Sequence, residues 1–293
     1  MEKVITENRN QNTKDIDLIP TEDIIKKINA EDKKVAVAVE KETKNIAKAV
    51  DLIVECYKKQ GKLFYFGAGT SGRLGVLDAS ECPPTFGVGF DMVQGIIAGG
   101  DEALRFAIEG AEDNYALGQK DGERLSEKDC CVLISASGNP KYLLGVADCA
   151  KKKNAKIIAL TSNPDAEILK HCDIGICVVV GAETITGSSR MKAGTAQKMV
   201  LNMLTTASMV KIGKTYENYM IDVKATNEKL KKRAISIVCD LCNVEEKTAH
   251  DTLKNCDWQV KTAVVMIKKK VSEQIADDLL KKNNGILRKV IYE

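Results

Sequence analysis

The sequence predicts an α/β fold, a parallel five-stranded sheet flanked by helices, followed by a small all-helical C-terminal domain. Three observations carry this prediction. Five short apolar runs follow one another between residues 63 and 180, and each ends in small or polar residues. Segments with helical spacing separate them. After about Met220 runs of that kind cease, and the chain reads as short helices. Continuous apolar strands joined through helices indicate a parallel sheet covered on both faces.

The elements follow in chain order. The first thirty residues are polar, with a helix start at Thr21, where Glu22 and Asp23 suit the positive end of a helix. Ala30-Glu31-Asp32 opens a long helical reading. In it Val35, Val39, Ile46, Val50 and Ile53 recur near helical spacing as far as Gly61. The strand-like runs are 63–66, 93–98, 131–134, 157–160 and 174–180. They end respectively in Gly67-Ala68-Gly69, Gly99-Gly100, Ser135-Ala136-Ser137-Gly138, Thr161-Ser162-Asn163-Pro164 and Gly181. Ala196, Met199, Val200, Met203, Leu204 and Ala207 mark an amphipathic helix that Gly213 stops. Breaks near Asn243, Asn255 and Asn283-Asn284-Gly285 divide the remainder. The expected divisions are an N-terminal arm and helix (1–50), a sheet domain (51–220) and a helical domain (221–293).

Composition narrows the function. Of 293 residues, 44% are hydrophobic, enough for a sizeable core. Forty-four basic against 41 acidic residues leave +3, which removes any whole-chain argument for nucleic-acid binding. One Trp, seven Tyr and five Phe are few for a protein that grips polymers by stacking. With only His171 and His250, proton chemistry falls to carboxylates. No run approaches the roughly 20 apolar residues of a membrane span, and residues 1–15 lack the apolar core of a signal peptide. The expectation is a soluble, cytoplasmic chain with no membrane partner. Its ten cysteines then read as reduced thiols. The Cys239-x-x-Cys242 pair lies in an apolar run with no second pair at zinc spacing, and reads as helix packing.

Small polar residues gather after the strands, where open α/β sheets hold their ligands. The first exit is Gly67-Ala68-Gly69-Thr70-Ser71-Gly72-Arg73. It is neither a P-loop nor a full G-x-G-x-x-G, but its glycines and hydroxyls suit a phosphate at a helix start. Ser135-Ala136-Ser137-Gly138-Asn139 repeats the device. Two such exits in one sheet point to a phosphorylated small molecule. No acidic residue about 20 positions on sits at a strand end, which argues against a dinucleotide.

The residues also carry a resemblance. The block from Tyr65 to Gly87, YFGAGTSGRLGVLDASECPPTFG, resembles a signature of the N-acetylmuramic acid 6-phosphate etherases. The block from Thr186 to Lys198, TGSSRMKAGTAQK, is similar to their second signature, and Thr6-Glu-Asn-Arg-Asn10 and Ile16-Asp17 also fit. The resemblance runs nearly end to end. It implies a sugar isomerase (SIS) phosphosugar-binding fold, a ubiquitin-associated-like helical domain, a homodimer, no metal and no organic cofactor. It implies cleavage of the D-lactyl ether at C3 of N-acetylmuramic acid 6-phosphate, giving N-acetylglucosamine 6-phosphate and D-lactate. The catalytic glutamates it implies are Glu81, as proton donor, and Glu112, as its partner acid or base. Glu81 would sit in a Pro-Pro loop, where burial beside Cys82, Pro83, Pro84 and Phe86 could raise its pKa. The matching phosphate positions are Thr70, Ser71 and Gly72, with Ser135, Ser137 and Gly138. Ser188, Ser189, Arg190 and Lys192 read either as an N-cap with loop charges or as further anion ligands across a dimer.

Three alternatives stay open on sequence. An aldose–ketose phosphosugar isomerase would use the same sheet and a glutamate at C2. A sensor like glucokinase regulatory protein would be longer, typically with two SIS domains. A SIS transcription regulator would need a helix-turn-helix domain that the first sixty residues do not supply.

Overall fold

The structure, a computed structural model, describes residues 5–223, 225 and 227–292. After two short 3₁₀ turns, Ile5–Glu7 and Gln11–Thr13, come the helices α1 (Thr21–Glu40) and α2 (Thr43–Lys58). The stretch read as one helix up to Gly61 is thus divided at Lys41-Glu42. Thr43 Oγ1 donates to the Glu40 carbonyl, a local bond that competes with the helical ladder. Each helix buries its own stripe: Val35 and Val39 on α1, Ile46, Val50 and Ile53 on α2.

Next come β1 (Leu63–Gly67), α3 (Gly69–Phe86), β2 (Val93–Ile97), α4 (Tyr115–Gly122), β3 (Cys130–Ile134) and α5 (Lys141–Lys152). β4 (Lys156–Thr161), β5 (Ile174–Cys177) and α6 (Lys192–Lys211) follow. The five strands form one sheet in the order β2-β1-β3-β4-β5, every pair parallel, as the apolar runs predict. All residues of β1 and β3 are buried. Phe64, Phe66, Cys131 and Leu133 pack with Tyr142, Leu143 and Val146 of α5 on one face. Tyr65 points to the opposite face, where a Cβ on Gly75 would lie 2.9 Å from its own Cβ. On β2, a Cβ on Gly95 would stand 2.5 Å from Val76 Cα. Glycine at both positions lets α3 lie close on the sheet.

The strand order has a functional consequence. From β1 the chain crosses to β2 on one side, then returns to β3 on the other. The order reverses between β1 and β3, and ligand crevices of open α/β sheets form outside the carboxyl ends at such a point. Those two ends are the two Ser/Gly exits.

The chain forms two compact units, Met1–Ser80 with Phe90–Thr205, and Glu81–Gly89 with Thr206–Glu293. The second holds a short antiparallel hairpin that the sequence did not announce, β6 (Thr215–Tyr216) with β7 (Tyr219–Met220). Five helices follow: α7 (Glu228–Cys242), α8 (Glu246–Asn255), α9 (Val260–Lys269), α10 (Glu273–Lys282) and α11 (Leu287–Tyr292). Asn243 ends α7 in the left-handed region, at φ 52°. Val238, Leu253, Val260, Val264 and Leu280 form the helical core, with Cys239 and Cys242 of α7 packed against it as free thiols. No helix among the described residues is long and apolar enough to cross a membrane.

Candidate active site

The first exit is built by close backbone approach. A Cβ on Gly72 would lie 2.6 Å from the Gly67 carbonyl oxygen, so strand end and helix start touch only because both are glycine. Gly69 takes φ 53°, which turns the chain into α3. Thr70 is half-buried, and Ser71 and Gly72 are buried. The Ser71 hydroxyl donates to Gln197 Oε1 at 3.0 Å. Arg73 donates from Nε to the Leu104 carbonyl at 3.0 Å and from Nη2 to that of Phe106 at 3.2 Å, tying the loop after β2 to this exit.

The exit of β3 is more closed. Ser135 Oγ accepts from the Gly138 N–H at 3.0 Å and lies 3.4 Å from Ser137 Oγ. Gly138 adopts φ 73°, and a Cβ there would stand 2.3 Å from Ala166 Cβ. Asn163 Nδ2 donates to the Ser137 carbonyl at 3.0 Å. Ser135 is buried and Ser137 half-buried. The bond from Gly138 uses only a lone pair of Ser135, and between Ser135 and Ser137 either hydroxyl can be the donor.

A cavity of about 290 Å³ opens at the carboxyl ends of β1 and β2. Ala68, Gly69, Arg73 and Ala98 line it, and so do Ile108 and Glu112. Glu112 is exposed, but its backbone is held by the Tyr142 N–H, which donates to its carbonyl at 2.9 Å. The structure therefore brings one of the two expected glutamates to the first exit. Glu81 stands in the last turns of α3, exposed, within the second unit. The Pro-Pro loop expected around it is helix, for α3 continues through Pro83 and Pro84. Proline's fixed φ suits a helix, although each proline lacks the N–H that would bond the carbonyl four residues back. The Gly87 N–H closes the turn onto the Pro83 carbonyl at 3.0 Å. Cys82, Pro83 and Phe86 are buried as expected, but Glu81 itself faces outward in this chain.

A larger cavity, about 670 Å³, lies in the helical unit beside Trp258 and Lys261. None of the expected site residues lines it, and Lys261 is paired with Asp222 at 2.7 Å. Size alone does not mark the site here.

The second signature leads into the start of α6. Ser188 and Ser189 are half-buried and Arg190 is exposed. Lys192 is 1% exposed, with its ammonium 2.6 Å from Glu31 Oε2. The N–H groups of Lys192 and Ala193 each donate to the buried Glu183 carboxylate at 2.9 Å. The start of α6 is thus already capped by one carboxylate and its lysine neutralised by another. Burial pushes the Glu31 carboxyl up, but hydrogen bonds from Lys192, Lys34, Asn12 and Asn10 outweigh it and hold the pKa at about 2. The N-terminal arm closes over the same loop. Asn10 Nδ2 donates to the Ala182 carbonyl at 3.1 Å, Thr13 Oγ1 to that of Thr184 at 2.8 Å, and the Gly187 N–H to that of Thr6 at 3.3 Å.

Sequence reasoning passed over Glu31, Glu183 and Gln197. For Glu31 a signal existed: with Val35 and Val39 it falls at four-residue steps on the buried stripe of α1. A charge on such a stripe needs a partner. Glu183 and Gln197 carried none, since their contacts come from tertiary structure.

Comparison with known proteins agrees with this fold. Residues 45–151 match the N-terminal SIS domain of glucokinase regulatory protein, residues 106–207 the SIS domain, and residues 217–279 the C-terminal lid domain of glucokinase regulatory protein. The fold is similar to that of phosphoheptose isomerase from Neisseria gonorrhoeae, at TM-score 0.51 and 18% identity, over 64% of this chain and 98% of that one. Among curated proteins, N-acetylmuramic acid 6-phosphate etherase of Clostridium botulinum (strain Okra / Type B1) is 52% identical over 100% of this chain and 98% of its own. The protein of the same name from Vibrio atlanticus is 51% identical over 98% and 95%. At such identity over the whole length, with the SIS sheet in place, this chain belongs to the N-acetylmuramic acid 6-phosphate etherase family.

Proposed function

We propose that this chain is a carbon–oxygen lyase that cleaves the D-lactyl ether of N-acetylmuramic acid 6-phosphate. The products are N-acetylglucosamine 6-phosphate and D-lactate, which places the reaction in amino-sugar and cell-wall sugar catabolism. The observation that carries the reading is the cavity at the carboxyl ends of β1 and β2, where Glu112 shares walls with the first Ser/Gly exit. The relatives named for this activity support it.

An alkyl ether resists direct hydrolysis, but the open-chain sugar offers another route. Its C1 aldehyde acidifies the C2 hydrogen. A base removes that proton, the C3–O bond breaks, and lactate leaves once its oxygen is protonated. Water then adds at C3 of the unsaturated aldehyde and a proton returns to C2. The sum is one water consumed and one lactate released, with no change of oxidation state and no cofactor. Both halves need an acid and a base, roles that two carboxylates can share. Glu81 is assigned as the acid at the ether oxygen and Glu112 as its partner at C2. The 6-phosphate falls to Thr70, Ser71 and Gly72 together with Ser135, Ser137 and Gly138. Ser188, Ser189 and Arg190 remain available to an anion, while Lys192 is already paired with Glu31. We take the working form to be a cytoplasmic homodimer, divided at 1–50, 51–220 and 221–293.

The test is incubation with N-acetylmuramic acid 6-phosphate and a direct assay of D-lactate. In H₂¹⁸O the label should appear on the C3 hydroxyl of the sugar, and in D₂O deuterium at C2. Label in the lactate would mean cleavage on the lactyl side and end the two-glutamate scheme. Exchange at C2 without lactate would indicate an isomerase instead.

A further inference from the structure

Gln197 is in the second turn of α6, inside the second signature, and is 2% exposed. It meets the first exit. Gly194, one turn earlier on the same face, is so close to Thr70 that a Cβ on it would lie 3.5 Å from Thr70 Cγ2. Gln197 then faces the next residue, taking the Ser71 hydroxyl on Oε1 at 3.0 Å. Further along the same two helices, Asn202 Nδ2 donates to Asp78 Oδ1 at 2.6 Å. The second signature thus lies along the first, with polar side chains between them.

Two features of this contact are unfavourable as it stands. Gln197 Nε2 is buried without a hydrogen-bond partner. A buried N–H that gives up water for nothing is a rare defect, rarer than an under-satisfied carbonyl. In addition, a serine hydroxyl has a single proton. While Ser71 gives that proton to Gln197, it presents only lone pairs to anything else, and a phosphate oxygen also brings lone pairs. A half-turn of the terminal amide removes both defects. Nε2 takes the place of Oε1 and donates to Ser71 Oγ. The hydroxyl proton is then free to point at an anion, and the atom left unpaired is a carbonyl oxygen.

We propose that Gln197 is a positioning residue for phosphate recognition: by donating its amide N–H to Ser71 Oγ it turns the Ser71 proton toward the bound phosphate. The proposal rests on the reading of Thr70–Ser71–Gly72 as a phosphate loop. It deepens that reading by giving the second signature a task in the first one's chemistry.

The experiment is a double-mutant cycle on binding. Affinity for N-acetylglucosamine 6-phosphate is measured by calorimetry for the wild type, Gln197→Met, Ser71→Ala and the double variant, with unphosphorylated N-acetylglucosamine as control. Gln197→Met and Ser71→Ala should each weaken the phosphosugar about tenfold or more, the worth of one hydrogen bond to a charged group. The double variant should be no weaker than the worse single one within about threefold, and the control sugar should lose under threefold. Wild-type affinity in Gln197→Met, or losses that multiply in the double variant, would overturn the proposal. If Gln197→Met does not melt cooperatively, Gln197→Glu goes through the same cycle. Its carboxylate can only accept, so it holds the Ser71 proton inward, and its loss should shrink when Ser71 is Ala. Lactate release by the wild type is measured alongside. An intact cycle without lactate would sink the etherase reading and leave Gln197 in place. Lactate release with no coupling would sink Gln197 alone. A wild-type chain that does not bind the phosphosugar removes both.

Discussion

Replacing Glu31 by Gln tests how the second signature is anchored. The change keeps the shape of the side chain and removes its charge, leaving the Lys192 ammonium buried without a counter-ion. The magnitude follows from the carboxyl itself. Its pKa falls from an ordinary 4.5 to about 2 in the folded chain. At about 1.36 kcal/mol per pH unit, that is on the order of 3 kcal/mol of stability. Loss of one partner of a buried ion pair, at about 3–5 kcal/mol, leads to the same figure. The sign is also set. A carboxyl whose folded-state pKa lies below its unfolded value stabilises fully above the unfolded value, and the contribution disappears as pH falls toward the folded one. Urea denaturation of the wild type and Glu31→Gln should therefore differ by about 3 kcal/mol at pH 7. The gap should begin to close below about pH 4.5 and shrink toward pH 2. Lys192→Met added to Glu31→Gln should recover part of the loss, because no charge is then left buried alone. A gap under about 1 kcal/mol at pH 7, or one that acid does not narrow, would refute the argument that this pair holds the loop.

Two further predictions concern chemistry and packing. Glu81→Gln should lower turnover by about 10²–10⁴, the usual worth of a general acid, yet still exchange the C2 hydrogen with D₂O. Glu112→Gln should lose both turnover and exchange; the opposite pattern reverses the two roles, and less than a tenfold effect from either places the chemistry elsewhere. Gly95→Ala inserts a Cβ 2.5 Å from Val76 Cα, where backbone must move. It should lower stability by about 1–3 kcal/mol in urea, and an unchanged midpoint would mean that α3 is not seated on β2 as described.

Much of the fold was legible because it rests on local and periodic signals. Apolar runs of four to seven residues between helical stretches are enough to specify a parallel sheet, since a strand buried on both faces has no polar side to show. The small residues after β1 and β3 were readable for the same reason: a chain that turns sharply at a strand end needs glycine, as at Gly69 and Gly138 with their positive φ. Where local signals conflicted, the reading slipped. Pro83-Pro84 looks like a loop in one dimension, but α3 runs on through both. The split between α1 and α2 has no Gly or Pro to announce it and depends on which stripe each helix buries.

The amino-acid sequence by itself determined the sheet, its two Ser/Gly exits and, through two long blocks, the family. Tertiary structure alone decided what the charges do. Glu31 and Lys192 are 161 residues apart, and the Ser71–Gln197 bond spans 126. No periodicity links such positions. Whether a lysine waits for an anion or is already neutralised depends on which carboxylate the fold brings within about 3 Å, in surroundings where a bare charge cannot stay.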